Sequence, residues 1–454
     1  MHVHILGICG TFMGGIAALG QARGDRVTGA DQNVYPPMST QLEALGIRLV
    51  QGWDPAQLKP RPDLLVIGNA LSRGNPVIEA VLDQGLPYCS GPEWLARYVL
   101  HERFVLAVAG THGKTTTASL LAYLLDAAGL APGFLIGGIP ADFGVSARLG
   151  AGEQFVVEAD EYDTAFFDKR AKFVHYRPRI AILNNLEYDH ADIYPDLASI
   201  RTQFHHLVRT VPGSGRLIVR ADDAELEATL AMGAWTPIER FGRGARAPWR
   251  VEATRPDWSE FSVFEQGKQV GHAHSPLLGP HNAENALAAC LAARHAGVPL
   301  ERSLPALARF QGVKRRLELR GTVRGVHVYD DFAHHPTAIA NTLAGLRARV
   351  GRDRILAVLE PRSNTMKLGI HKDTLAPSLA AADRVYLYRP ANLGWDLSGV
   401  AAALGPRATV ASELDELTRL LNAEARAQDH ILIMSNGGFG GLHERLLSAL
   451  AGQP

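Results

Sequence analysis

The segment GTHGKTTT, residues 110–117, constrains the architecture more than any other. It stands between the apolar run Phe104–Ala109 and the helical pattern Ala118–Ala128. A glycine turn that leaves a strand and opens a helix gathers backbone N–H groups at a helix N-terminus, which cradles phosphate. Lys114 would offset the charge of the outer phosphates, and the Thr115 hydroxyl is placed to ligate Mg²⁺. The match to the P-loop pattern is imperfect, because Val108 occupies the first glycine position. The plainer reading is a tight glycine turn with an incidental lysine. Either way, a buried strand emptying into a helix implies a largely parallel sheet covered by helices.

The rest of the chain follows that pattern. Short β-branched runs alternate with helical patterns in three blocks, so the expected fold class is α/β with three domains, residues 1–103, 104–316 and 317–454. The first block holds strands near Val3–Ile8, Arg26–Gly29, Leu64–Ile67 and Pro87–Cys89, with a helix near Gly14–Arg23 and another at Pro92–Leu100. The central block adds strands at Gln154–Val157, Ile180–Leu183 and Arg216–Val219, then antiparallel strands from about Pro248 to Gly271 and the helix Ala283–Ala296. The third block reads Val326–Tyr329, helix Pro336–Val350, Ile355–Leu359, Val385–Tyr388 and Ile431–Met434, a second doubly wound pattern.

Composition removes several functions. There are 46 Lys and Arg against 46 Asp and Glu, so no bulk charge attracts nucleic acid or a membrane surface. Three cysteines, Cys9, Cys89 and Cys290, form neither a CxxC pair nor an even set, which argues against disulfides and thiolate zinc. The weakly charged stretch Thr115–Ala141 is interrupted by Asp126, Gly129 and Pro132, which excludes a spanning helix there. The opening MHVHILGICG enters a strand directly, so no leader is expected and a soluble cytoplasmic protein is the default.

Two further strand ends carry charge. Glu158 closes FVVEADE, where a carboxylate beside the phosphate loop can hold Mg²⁺, with Asp160 and Glu161 as secondary candidates. Asn184, Glu187, Asp189 and His190 follow the next strand in LNNLEYDH. The alternatives are solvated loop acids and a structural histidine.

At this point the sequence resembles the Mur ligase family, the ATP-dependent amino-acid and peptide ligases of bacterial cell-wall synthesis. GTHGKTTT, EADE, NLEYDH, GPHNAENALAA, VKRRLE and YDDFAHHP occur in the family's order and span essentially the whole chain. The resemblance implies a Rossmann-like UDP-sugar domain, a central P-loop ATPase domain and a C-terminal Rossmann-like domain. It implies ATP on Gly110, Thr111, His112, Gly113, Lys114, Thr115 and Thr116. It places His281, Asn282 and Asn285 around adenine, Arg316 on the phosphates and Asp331 near the ribose, with His334 in the same loop. It makes Thr115, Glu158 and His190 magnesium ligands, and Lys114, Glu158 and His190 the catalytic set. Some members carry a carbamylated lysine in the helix after the DH motif. Here that helix, ASIRTQFHHLVRTV, has no lysine, which resembles the branch acting on UDP-N-acetylmuramate itself.

The glycines of GICGTFMGG do not form a true GxGxxG, although Asp31 follows Gly10 by 21 residues, as a dinucleotide site would require. A dehydrogenase is therefore one alternative. The resemblance instead implies a UDP-sugar on Gly10, Thr11, Phe12 and Met13, with Asp31, Asn69 and Ser72. For Asn69 and Ser72, a loop and a helix cap remain open.

The third block should present the incoming amine. Its loop EPRSNTMKLGIHKD departs from the QPHRYTRT-like loop of the alanine-adding branch and resembles that of ligases adding L-alanyl-γ-D-glutamyl-meso-diaminopimelate in peptidoglycan recycling. A tripeptide with several carboxylates suits Arg362, Asn364 and Lys367, with His371 and Lys372 nearby. The expected reaction joins this tripeptide to UDP-N-acetylmuramate with ATP and Mg²⁺. The alternatives are L-alanine as the amine, a P-loop phosphotransferase, or a non-catalytic nucleotide-binding regulator. Oligomeric state is left open.

Overall fold

The structure is a computed structural model that describes residues 1–34, 38–245 and 247–452. Three sheets organise it. In the first, five parallel strands run in the order Arg48–Gln51, Arg26–Asp31, His2–Leu6, Leu64–Ile67, Tyr88–Ser90. The second has ten strands and the third six. In the third sheet an antiparallel edge, Glu318–Val323, flanks the parallel strands Val326–Asp331, His430–Met434, Ile355–Leu359, Arg384–Tyr388 and Ala408–Ala411. Ile355–Leu359 is buried at every position, as a strand covered on both faces must be.

In the second sheet Phe104–Ala109 lies between Gln154–Glu158 and Ile180–Leu183, parallel to both. That order sets the site. The carboxyl ends of all three strands emerge side by side, so EADE and NNLEYDH flank the phosphate loop although they are far from it in sequence. The helix after the loop begins at Lys114, a turn earlier than its apolar pattern suggests, and packs against the helix Pro280–His295.

Several short elements are visible only in the structure. The helices Pro76–Asp83 and Ala224–Ala231 do start on legible caps, Asn75 and Asp223, whose side chains accept the first helical N–H groups. The strands Gly133–Leu135, Ile238–Gly242 and Ala408–Ala411 are short, and neighbouring strands define them rather than composition.

A two-stranded hairpin, Asp163–Ala165 with Asp168–Ala171, leaves the central domain and crosses to the first. Its tip residue Phe166 packs against a first-domain core that includes Leu6, Leu58 and Leu71. The first-domain helix Thr11–Ala22 meets the central domain closely, since a Cβ on Gly15 would stand 2.2 Å from Leu135.

Candidate active site

The phosphate loop is built by the segment beside it. Asn185 accepts the His112 N–H at 2.8 Å and donates to the His112 carbonyl at 3.1 Å. The Glu187 N–H donates to the Thr111 hydroxyl oxygen at 2.8 Å. Gly113 has φ +80°, and a Cβ there would lie 2.9 Å from Asn285 Oδ1, so both backbone and space call for glycine.

Below the loop lies a buried charge network. Lys114 Nζ is 2.8 Å from Glu161 Oε2 and 3.9 Å from Asp160 Oδ1. Glu161 is 1% exposed, and its other oxygen is 3.3 Å from His190 Nε2. Burial works against the Lys114 charge, yet Glu161 and Asp160 outweigh it and hold the ammonium above its ordinary range. Burial raises Glu161, but Lys114 and His190 pull it down to about 2. Burial also opposes charge on His190, which Glu161 and Asp189 overcome, raising it. Glu161 is therefore no solvated loop acid; it links Lys114 to His190.

Glu158 differs. Its carboxyl is pushed up, by burial first and by Asp160 second. It accepts the Thr115 hydroxyl at 2.8 Å and the Gly137 N–H at 2.6 Å, and Arg316 donates to the Thr115 oxygen at 3.1 Å. A buried carboxyl beside a second acid and a hydroxyl is an oxygen-rich spot that a hard divalent cation would relieve. Thr115 and Glu158 thus fit Mg²⁺. His190 is connected to them through Lys114 and Glu161 and touches neither Thr115 nor Glu158 by any hydrogen bond or ion pair among the described residues.

Next to the loop opens a cavity of about 830 Å³, lined among others by His112, Thr116, His281, Asn282, Asn285, Arg316 and Asp331. It brings the P-loop, the HNAEN helix start and the third domain to one place. Asn184 Oδ1 and His281 Nδ1 are buried here without a hydrogen-bond partner among the described residues, open to a polar ligand. Burial, aided by Arg220 and Arg243, lowers His281 to about 4, which leaves a neutral imidazole facing the cavity. Asp331 is already engaged, accepting the Leu317 N–H at 2.7 Å and the Ala333 N–H at 2.8 Å. His334 is not part of the lining; its ring bonds the Phe332 carbonyl, and burial holds it near 4. Its neighbour His335 instead packs on His112, with ring centres 4.4 Å apart.

The other expected residues lie outside this cavity. Asp31 accepts the Cys9 N–H at 2.9 Å and so ties down the first-domain glycine turn. Gly10 and Thr11 are exposed at that turn, Phe12 is half-buried and Met13 buried. Asn69 and Ser72 are exposed on their loop, and Asn75 rather than either of them caps the following helix. In the third domain Arg362 is exposed and lies against Gly437, and Lys367 is half-buried. Asn364 donates to Asp192 of the central domain at 2.8 Å. Beside it Thr365 donates to Asp189 at 2.7 Å, and Thr337 donates to Glu187 at 2.7 Å. These three bonds dock the third domain on the central one.

Sequence reasoning passed over Asn185, Thr337 and Thr365. The doubled asparagine at the end of an apolar strand was a signal for the first. The two threonines carry none, because their importance comes from what they face across a domain boundary.

Strand order, phosphate loop and three-domain cleft together define an ATP-site α/β protein, and sequence comparison gives its class. The chain matches the Mur ligase family, catalytic domain, over residues 2–103, the Mur ligase middle domain over 108–293, and the Mur ligase, glutamate ligase domain, over 315–437. It belongs to the Mur ligase family. It is 56% identical, over 99% of its length and 98% of the relative's, to the UDP-N-acetylmuramate–L-alanyl-γ-D-glutamyl-meso-2,6-diaminoheptandioate ligase of Escherichia coli (strain K12). A UDP-N-acetylmuramate–L-alanine ligase of Renibacterium salmoninarum is 38% identical, over 79% of the chain and 76% of the relative. Among solved structures, a murein peptide ligase from Psychrobacter arcticus 273-4 superposes with a TM-score of 0.78 at 48% identity, covering 99% of each chain.

Proposed function

We propose that the chain ligates L-alanyl-γ-D-glutamyl-meso-diaminopimelate onto UDP-N-acetylmuramate, with ATP as the energy source, in the recycling of peptidoglycan. The observation that carries this reading is the 56% identity, spanning nearly the whole chain, to a ligase of that name, against 38% over a shorter span for an alanine-adding relative. The departure of the loop Arg362–Lys367 from the alanine-adding pattern supports the same choice. Residues 1–103, 104–316 and 317–454 serve as sugar-nucleotide, ATP and amine units, and the reaction belongs in the cytoplasm, where ATP and UDP-sugars are found.

A carboxylate resists attack by an amine because oxide would have to leave. Here a lactyl carboxylate oxygen attacks the γ-phosphorus of ATP. The bond to the β–γ bridging oxygen breaks, and ADP leaves with that electron pair. The tripeptide amine then attacks the acyl carbon of the acyl phosphate, inorganic phosphate departs, and the nitrogen's extra proton passes to solvent. Thr115 and Glu158, with His190 nearby, would hold Mg²⁺, which when bound would supply charge neutralisation on the transferred phosphoryl group. Lys114 exchanges Glu161 for phosphate oxygens, a charge-for-charge trade within a buried site. His281, Asn282 and Asn285 receive adenine, and Arg316 and Asp331 border phosphate and ribose. Docking of the third domain through Thr337 and Thr365 closes the cleft and excludes water.

The test is product analysis by mass spectrometry with ATP, Mg²⁺, UDP-N-acetylmuramate and either the tripeptide or L-alanine. A larger kcat/KM for L-alanine would replace the tripeptide reading with the alanine-adding one.

A further inference from the structure

The hairpin that crosses to the first domain is followed by a short turn, Lys172–His175, and its first residue is buried where domains meet. Lys172 is 3% exposed. Its ammonium lies 4.3 Å from the centre of the Phe12 ring, in the first domain, and 4.2 Å from that of Tyr162. Among the described residues it makes one ion pair, to Asp160 Oδ2, at 3.7 Å, which is beyond hydrogen-bond length. That oxygen already accepts the Tyr162 hydroxyl at 2.7 Å. An ammonium has three donors to satisfy. Two aromatic faces and one long ion pair are poor compensation for its lost water. Packing cannot explain the residue, since a methionine would fill the same space without a charge.

Its position suggests what the charge meets. Asp160 faces Lys172 with one oxygen and Lys114 of the phosphate loop, at 3.9 Å, with the other. Phe12 belongs to the first turn of the helix after the first-domain glycine turn. A line therefore runs from that turn through Lys172 and Asp160 to the P-loop lysine. An acceptor bound at the turn and phosphorylated at the loop must place its reacting carboxylate along this line.

We propose that Lys172 is a further catalytic residue: its ammonium binds the reacting carboxylate of the acceptor sugar nucleotide and holds the acyl phosphate made from it. The inference rests on the sugar-nucleotide reading of the first domain. The pyrophosphate is the other anion of such an acceptor. The helix start at the exposed Thr11 serves it, whereas Lys172 approaches from the side of Asp160 and the ATP cleft.

The experiment is calorimetric titration of the full chain, without ATP, with UDP-N-acetylmuramate and with UDP-N-acetylglucosamine, which lacks the lactyl carboxylate. Lys172→Met should weaken binding of the first by about ten- to a hundredfold, the effect of losing a charge-assisted contact, and leave the second unchanged. Its melting temperature should not fall, because Asp160 keeps Tyr162 and Lys114. Equal weakening of both ligands, or of neither, overturns the role. If Lys172→Met does not fold, the ratio is read on Lys172→Gln instead. A parent protein that binds neither sugar nucleotide overturns the acceptor reading itself, and the role with it. A parent that binds UDP-N-acetylmuramate beside a variant of equal affinity overturns only the role of Lys172.

Discussion

Glu161 in the phosphate cleft and Arg362 in the third-domain loop both carry charges assigned to ligand handling, and their surroundings are opposites. Glu161 is 1% exposed and grips Lys114 and His190 at once. Arg362 is exposed, rests against Gly437 and makes no ion pair among the described residues. The cleft is preorganised: its charges are paired before a nucleotide arrives, so binding swaps partners and little solvent must reorganise. The loop instead keeps its charge in water, and on the proposed reading the desolvation cost would arise when the amine component binds. On the proposed reading, one region would fix the chemistry and the other would leave room for the identity of the amine to vary.

The largest effect that would break this contrast is on Lys114. Lys114→Ala should lower kcat by about 10²-fold or more, as loss of a transition-state charge partner does. It should also lower the melting temperature, since Glu161 keeps a buried charge without its cation. Adding Glu161→Gln should restore stability and not turnover. Near-parental ligation by folded Lys114→Ala would return the loop to an ordinary glycine turn.

On the exposed side, Arg362→Ala and Lys367→Ala should raise the KM for the tripeptide by about ten- to a hundredfold. Melting temperature and the KM for ATP should stay as they are. A stability loss in either variant would show that the loop is structural and collapse the contrast.

Smaller, and confined to the cleft, is the effect on magnesium. Glu158→Ala and His190→Ala should each raise the Mg²⁺ concentration for half-maximal activity by on the order of tenfold. Sugar-nucleotide affinity should be unchanged. Parental magnesium curves in both variants would make the two residues structural.

The smallest effect concerns the seam joining the two regions. Burial raises Glu187, but His112 and Thr337 bring it down from 4.5 to about 2. A depressed carboxylate stabilises the folded state fully above about pH 4.5, and that contribution is lost as pH falls through about 2. The melting temperature of Glu187→Gln should therefore fall less than the parent's between pH 6 and pH 3. Parallel curves would remove Glu187 from the seam.

Sequence alone settled much of this protein, for a local reason. A strand, a glycine turn and a helix start are contiguous, so GTHGKTTT announces its own geometry, and HNAEN and YDDFAHHP lie in the order of their family. The cleft residues Lys114, Asn285, Arg316 and Asp331 could be named from such segments. Tertiary structure decided which side chains face each other. Glu158 and Glu161 are three residues apart in one motif, yet one touches Thr115 and the other Lys114, because the strand ends between them and the chain turns. Asn364 reads as a peptide contact in its loop and bonds Asp192 across a domain boundary. Lys172 reads as one basic residue in DKRAKF, and only packing of the hairpin on the first domain buries it between Phe12 and Tyr162. Those facts depend on strand order and domain docking, which bring together residues far apart in the chain, and no local pattern records such distances.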